Sequence, residues 1–74
     1  MKCFLRYESD SLEDAEECKS ITEAKREYKL TAKELYGYGQ CISATIHIAK
    51  SIKEVVEYPD YILSFDGAVV CERA

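Results

Sequence analysis

Two stretches of the chain alternate between apolar and polar side chains, as a strand with one buried face requires. In residues 2–8, Cys3, Leu5 and Tyr7 point to one side, and Phe4 is the one apolar residue on the other. In residues 41–49, one side is aliphatic and the other mostly small or polar. The aliphatic side holds Ile42, Ala44, Ile46 and Ile48, and the other holds Cys41, Ser43, Thr45, His47 and Ala49. Both stretches are therefore predicted strands.

From residue 21 the apolar residues recur at the spacing of a helix. The stripe consists of Ile21, Ala24, Tyr28, Thr31 or Ala32, and Leu35. This pattern predicts an amphipathic helix of about 16 residues, roughly 24 Å long. Ser20 and Glu23 form a capping box at its start, and Gly37 and Gly39 supply the backbone freedom that commonly ends a helix.

The segment YILSFDGAVVC, residues 61–71, predicts two strands joined by a tight turn. Asp66 and Gly67 suit a two-residue type I′ turn, because both central residues of that turn need a positive φ. This turn would set Phe65 opposite Ala68, Leu63 opposite Val70, Tyr61 opposite Glu72, Ser64 beside Val69, and Ile62 beside Cys71. Neither side of the predicted hairpin is clearly polar.

Two other segments have weaker patterns. In residues 11–19, Ser11 and Asp14 would suit the start of a helix, whereas the short connection to the first strand favours an edge strand over residues 14–19 that pairs back onto it. We favour the edge strand. In residues 51–57, Ser51 and Glu54 form another capping box, which predicts a short helix that ends before Pro59.

Together these elements predict one α+β domain over residues 1–74, in the order β-(β)-α-β-(short α)-β-β. Its sheet would be mostly antiparallel, with four or five strands and one long helix on one face. We expect beneath that helix Leu5, Ile42, Ile46, Ile48, Leu63, Phe65 and Val70. The reverse face would present Phe4, Ile62, Val69 and Cys71 among Ser43, Thr45, His47 and Ser64. Three covers for it remain open: the 51–57 helix with the loops, a second copy of the chain, or another protein.

Composition and charge narrow the class of protein. The chain has 74 residues, of which 47% are hydrophobic and 32% charged, and its net charge is −4. No apolar run approaches the roughly 18 residues of a membrane span, and no secretory signal is recognisable, so we expect a cytoplasmic protein without a membrane partner. The negative charge also disfavours general attraction to nucleic acid.

Cysteine and histidine are too widely spaced to indicate a metal site or a catalytic pair. The four cysteines, Cys3, Cys18, Cys41 and Cys71, include no CxxC pair, and we expect them to be small buried residues. Their redox state does not follow from spacing. His47 and Cys41 would lie about 20 Å apart on one strand, too far to share an ion. We therefore expect no metal, no cofactor and no enzymatic activity, with His47 half-exposed.

Charged residues concentrate in two places. Residues 8–17 contain no basic residue, and their acidic side chains are Glu8, Asp10, Glu13, Asp14, Glu16 and Glu17. This acidic segment is either a solvated edge that discourages strand pairing or a patch for a basic surface on another protein. The predicted helix carries Lys25, Arg26, Lys29 and Lys33, and with Tyr36 these give an alternative function, a nucleic-acid-binding accessory domain.

Three stretches, MKCFLRYESDS, SITEAK and EYPDYILSFDG, together resemble small proteins encoded by phages and prophages. Small acidic proteins of that kind, such as anti-CRISPR inhibitors, often act by occupying the surface of a host protein. The resemblance implies such an inhibitor, and it assigns no residues. We therefore predict a non-enzymatic protein-binding domain, with a homodimer as one form. The predicted contact residues are Glu13, Asp14, Glu16, Glu17, Phe4, Thr45, His47, Ile62 and Val69.

Overall fold

The computed structural model describes residues 1–36, 42–66 and 69–73. Within them the strands are β1 (Lys2–Tyr7), β2 (Glu16–Cys18), β3 (Ala44–Ala49), β4 (Tyr61–Phe65) and β5 (Val70–Arg73). One helix, α1, runs over Ile21–Tyr36, and two 3₁₀ turns lie at Leu12–Asp14 and Ile52–Glu54. The predicted α+β class and element order are confirmed. The short helix predicted for residues 51–57 is present as a 3₁₀ turn of 3 residues, Ile52–Glu54, and not as an α-helix.

The strands form one sheet in the order β2-β1-β3-β4-β5, with every neighbouring pair antiparallel. The β1–β3 ladder is the longest and runs from Lys2 opposite Ala49 to Tyr7 opposite Ala44. The favoured edge strand is confirmed as β2, which places Cys3 opposite Cys18. β2 and β5 are consequently the two edges of the sheet.

Helix α1 packs on one face of the sheet, which we call the helix face. Ser20 begins it as predicted, because its hydroxyl accepts a hydrogen bond from the Glu23 N–H at 3.1 Å. Tyr28 is fully buried and donates its hydroxyl proton to the Ile42 carbonyl at 2.7 Å, which ties the helix to the segment before β3. The buried residues of this core are Cys3, Leu5, Cys18, Ala24, Tyr28, Ala32, Ala44, Ile46 and Leu63.

One residue expected under the helix is not covered. Ile48 is 37% exposed. The register between β3 and β4 begins with Ile46 opposite Tyr61, so Ile48 lies beyond the start of β4 and has no strand neighbour on that side.

The connection between β4 and β5 differs from the predicted turn. Phe65 lies opposite Val70, not opposite Ala68, so the predicted register is wrong by two residues. Because side chains alternate with a period of two, this shift leaves each strand residue on its predicted face. Val69 precedes β5, and its N–H donates to the Asp66 carboxylate at 2.9 Å. Gly67 and Ala68 lie outside the described residues, as do Gly37 and Gly39, the predicted end of the helix.

Candidate binding surface

The half of the reverse face formed by β1 and β3 is closed by the chain's own loops. Phe4 is only 3% exposed and clusters with Ala49 and Val55. Leu12, Ala15 and Ile52 pack against this reverse-face cluster. The two 3₁₀ turns contact each other, and Ala15 directly follows the first. The expectation that Phe4 is exposed on the reverse face is therefore wrong.

His47 belongs to the same closed half. It is 2% exposed, so the expectation of a half-exposed histidine is also wrong. Its Nε2 lies 2.8 Å from the Thr45 hydroxyl, and its Nδ1 has no hydrogen bond of good geometry to the described residues. Burial lowers the pKa of His47, and the charge of Arg6 lowers it further, while the Val56 backbone and Asp60 act in the opposite direction. His47 is thus a neutral side chain inside the fold near pH 7.

The half of the reverse face formed by β4 and β5 stays open. A groove there is lined by Ser43, Ile62, Ser64, Cys71, Glu72 and Arg73. The strand register brings these lining residues together. Ile62 lies opposite Thr45 on one side and Arg73 on the other, and Ser64 lies opposite Cys71. Ile62 and Thr45 are partly exposed, so these two predicted contact residues border the open half.

The hydrogen-bond pattern shows which backbone groups of β5 face β4 and which face away from it. The Asp66 N–H donates to the Val69 carbonyl at 3.4 Å, which makes these two residues a hydrogen-bonded pair. Such pairs alternate with non-hydrogen-bonded ones in an antiparallel ladder, so Cys71 bonds to β4 and Val70 does not. The N–H and C=O groups of Val70 and Glu72 therefore point away from β4. No strand among residues 1–36, 42–66 and 69–73 pairs with this edge.

The acidic segment lies at the opposite edge of the sheet. Glu13, Asp14, Glu16 and Glu17 are exposed on and beside β2, where Lys2 approaches Glu17 at 3.4 Å. Four strand spacings, or about 19 Å, separate β2 from β5. The structure therefore does not join the acidic residues and Ile62 into one patch. Val69 is 54% exposed and lies in the connection immediately before β5.

The basic residues of α1 form no isolated positive stripe. Lys25 makes an ion pair with Glu72 and so links the helix to β5. Arg26, Lys29 and Lys33 are exposed, and the same helix carries Glu23, Glu27 and Glu34. The side chain of Tyr36, the predicted stacking residue, lies outside the described part of the chain.

The cysteines divide into two environments. Cys3 and Cys18 are buried, free and directly opposite each other on β1 and β2, whereas Cys71 is free and exposed. Burial raises the pKa of the Cys18 thiol to about 11, with the Glu27 carboxylate acting in the same direction. Cys41 lies outside the described residues. Across the described ranges no cluster of three or more His, Cys, Asp or Glu side chains suits a metal ion.

Sequence reasoning missed the outward-facing backbone of Val70 and Glu72. The one signal available was a contrast between the two edge segments, since EEC in β2 carries two like charges and VCER in β5 carries opposite ones. In the described ranges, no helix combines the length and the hydrophobicity of a membrane-spanning segment. Comparison with family models, with curated proteins and with solved structures finds no match to this chain.

Proposed function

We propose that this chain is a non-enzymatic, cytoplasmic protein-binding domain that adds a strand of its partner to β5. The observation that carries the proposal is the edge itself, where Val70 and Glu72 direct their backbone groups away from the sheet. In strand addition, main-chain hydrogen bonds supply affinity, and the side chains on alternate faces supply specificity.

The two edges of the sheet differ in their fitness for this role. β2 has 3 residues, and Glu16 and Glu17 place negative charge along it, which discourages pairing. β5 has 4 residues, and the charge of Glu72 is balanced by Lys25. The groove beside β5 offers apolar surface at Ile62 to an incoming strand. These features favour β5 as the edge that receives a partner.

The proposal includes a role as an inhibitor that occupies the surface of a host protein, which the resemblance to phage-encoded proteins implies. Its support in the molecule is general, since the chain is small and acidic. The alternative of nucleic-acid binding has less support, because Lys25 is engaged by Glu72 and glutamates are interleaved with the other basic residues of α1.

A test can be made without knowing the partner. Peptides selected from a random displayed library on the immobilised chain would be measured against the wild type, Glu72→Pro and Glu72→Gln. Proline at 72 removes an outward N–H and spares the ladder to β4, as edge strands tolerate. Glutamine keeps that N–H and removes the charge. We expect binding about tenfold weaker for the proline variant, from one lost hydrogen bond and its unpaired acceptor, and near-normal binding for the glutamine variant.

Amide chemical shifts would locate the bound peptide, and we expect the largest changes at Val70 and Glu72. Peptides that bind Glu72→Pro as tightly as the wild type would overturn the proposal. So would shifts confined to α1 or to the acidic segment. Circular dichroism of both variants would verify that the sheet is retained.

A further inference from the structure

The β5 edge is self-complementary, which identifies a partner for it. We propose that two copies of this chain pair their β5 strands antiparallel across a two-fold axis at Cys71, so that the two sheets become one of ten strands. The inference rests on the proposed function, because it uses the same edge. It names a second copy as the occupant.

The register follows from the outward backbone groups. In an antiparallel pair, the side chains of two opposite residues lie on the same face of the sheet. A two-fold axis normal to the sheet keeps each face, so it must pass between two copies of the same residue. An axis at Cys71 pairs Val70 of each copy with Glu72 of the other, and each of these pairs exchanges both N–H···O bonds. An axis at Glu72 would instead set two carboxylates directly opposite, which destabilises the pairing. An axis at Val70 would leave Glu72 opposite residue 68, which lies before β5.

Charge favours the same arrangement. Each copy has a net charge of −4, and its acidic segment surrounds β2. Pairing through β5 puts the two β2 strands nine strand spacings apart, about 43 Å. That separation is several times the Debye length of about 8 Å at physiological ionic strength, so the acidic segments do not repel each other. Near the axis, the ion pair with Lys25 compensates the charge of the Glu72 carboxylate.

The position of Cys71 provides a direct test of the register. Its own N–H and C=O point to β4, so two copies of Cys71 at the axis form a non-hydrogen-bonded pair with Cα atoms about 4.5 Å apart. That distance lies within the range of about 4.4–6.8 Å that a disulfide spans. Cys3 and Cys18 are buried and cannot form the same link between folded copies.

The first experiment is sedimentation equilibrium of the full chain with Cys41→Ser, under reducing conditions. Pairing by four-residue strands buries little area, so we expect a dimer with a dissociation constant in the micromolar to millimolar range. Glu72→Pro should shift this constant by about tenfold or more, and Glu72→Gln should leave it within about threefold. A monomer mass at every concentration up to about 1 mM would overturn the inference.

The second experiment traps the dimer with diamide, which takes one hydrogen from each of two thiols and is reduced to its hydrazine as the S–S bond forms. We expect mass spectrometry to find a Cys71–Cys71 link in the Cys41→Ser chain and none after Cys71→Ser. In a matched variant, Cys71→Ser with Glu72→Cys, the disulfide between copies should form far more slowly, because residue 72 lies opposite residue 70 of the other copy. Faster trapping at 72 than at 71 would refute the register.

The outcomes separate the two proposals. If the chain stays monomeric and does not cross-link, yet selected peptides bind β5 and lose affinity with Glu72→Pro, the second copy is the wrong partner and the proposed function stands. If peptide binding is also insensitive to Glu72→Pro, both proposals fail.

Discussion

Replacement of Phe4 by alanine tests whether the loops close half of the reverse face. The sequence pattern alone places Phe4 and Val69 together on an exposed surface, and substitutions there would change stability by about 0.5 kcal/mol or less. The structure buries Phe4 to 3% exposure and leaves Val69 at 54%. The free energy of unfolding should therefore distinguish the two residues sharply.

The magnitude follows from the burial of the ring. Truncation of a buried phenylalanine to alanine costs about 3–5 kcal/mol, since the ring is lost from the core and a cavity remains. At about 0.05–0.15 kcal/mol per residue, a chain of this length has a total stability of about 4–11 kcal/mol. Phe4→Ala should thus remove about a quarter or more of the total, while Val69→Ala should stay within about 0.5 kcal/mol.

Urea denaturation followed by circular dichroism provides the measurement. With a slope of about 1 kcal/mol per molar urea, the midpoint of Phe4→Ala should fall by about 3 M or more. If that variant does not fold, Phe4→Leu removes three carbons and should cost about 2 kcal/mol. A loss below about 1 kcal/mol for Phe4→Ala would show that the reverse face is open in solution, and the reasoning about the loops would be wrong.

Three further predictions concern single side chains. Tyr28→Phe should cost about 0.5–1.5 kcal/mol in urea denaturation, because the Ile42 carbonyl loses its donor at 2.7 Å, and an unchanged midpoint would contradict that contact. Burial lowers the pKa of His47 from its ordinary value of 6.5, so the unfolded chain binds the proton more readily than the folded one. The free energy of unfolding should therefore be highest above pH 6.5 and should decline as the pH falls through the folded-state pKa. His47→Gln should reduce this decline, and an identical acid-side slope would refute it. In a Cys41→Ser chain, Ellman's reagent should react quickly with one thiol, Cys71, and a fast phase that survives Cys71→Ser would show that a buried thiol is accessible.

Side-chain faces were predictable from the sequence because a strand has a period of two. Leu5 and Ile46 occupy the helix face as the alternation predicts, and α1 buries Ala24 and Tyr28 as its stripe predicts. These assignments hold even for β5, where an error of two residues in register preserves the face. Local patterns were sufficient for Leu5, Ile46, Ala24 and Tyr28, since these residues form one core between α1 and the sheet.

The closed half of the reverse face depends on contacts between distant segments, which no local pattern contains. Ser51 and Glu54 predicted a helix, but the same spacing is compatible with a single 3₁₀ turn, in which residues at i and i+3 lie on one side. Ile52 and Val55 have that spacing, and both pack toward Phe4. Their packing with Phe4 follows from where the turn docks, and the alternation in β1 and β3 gives no information about that.

The outward-facing backbone groups of β5 show how strongly an edge depends on the exact position of a turn. A two-residue turn at Asp66 and Gly67 would make Phe65 and Ala68 the closing hydrogen-bonded pair, and alternation would then point the backbone of Cys71 outward. In the structure Asp66 bonds to Val69, so the alternation is reversed and Glu72 points outward instead. The side-chain faces are the same in both cases, yet proline would be tolerated at different residues. The surface proposed for binding therefore depends on which residue pair closes the connection. Hydrophobic patterning constrains only side chains and does not indicate that pair.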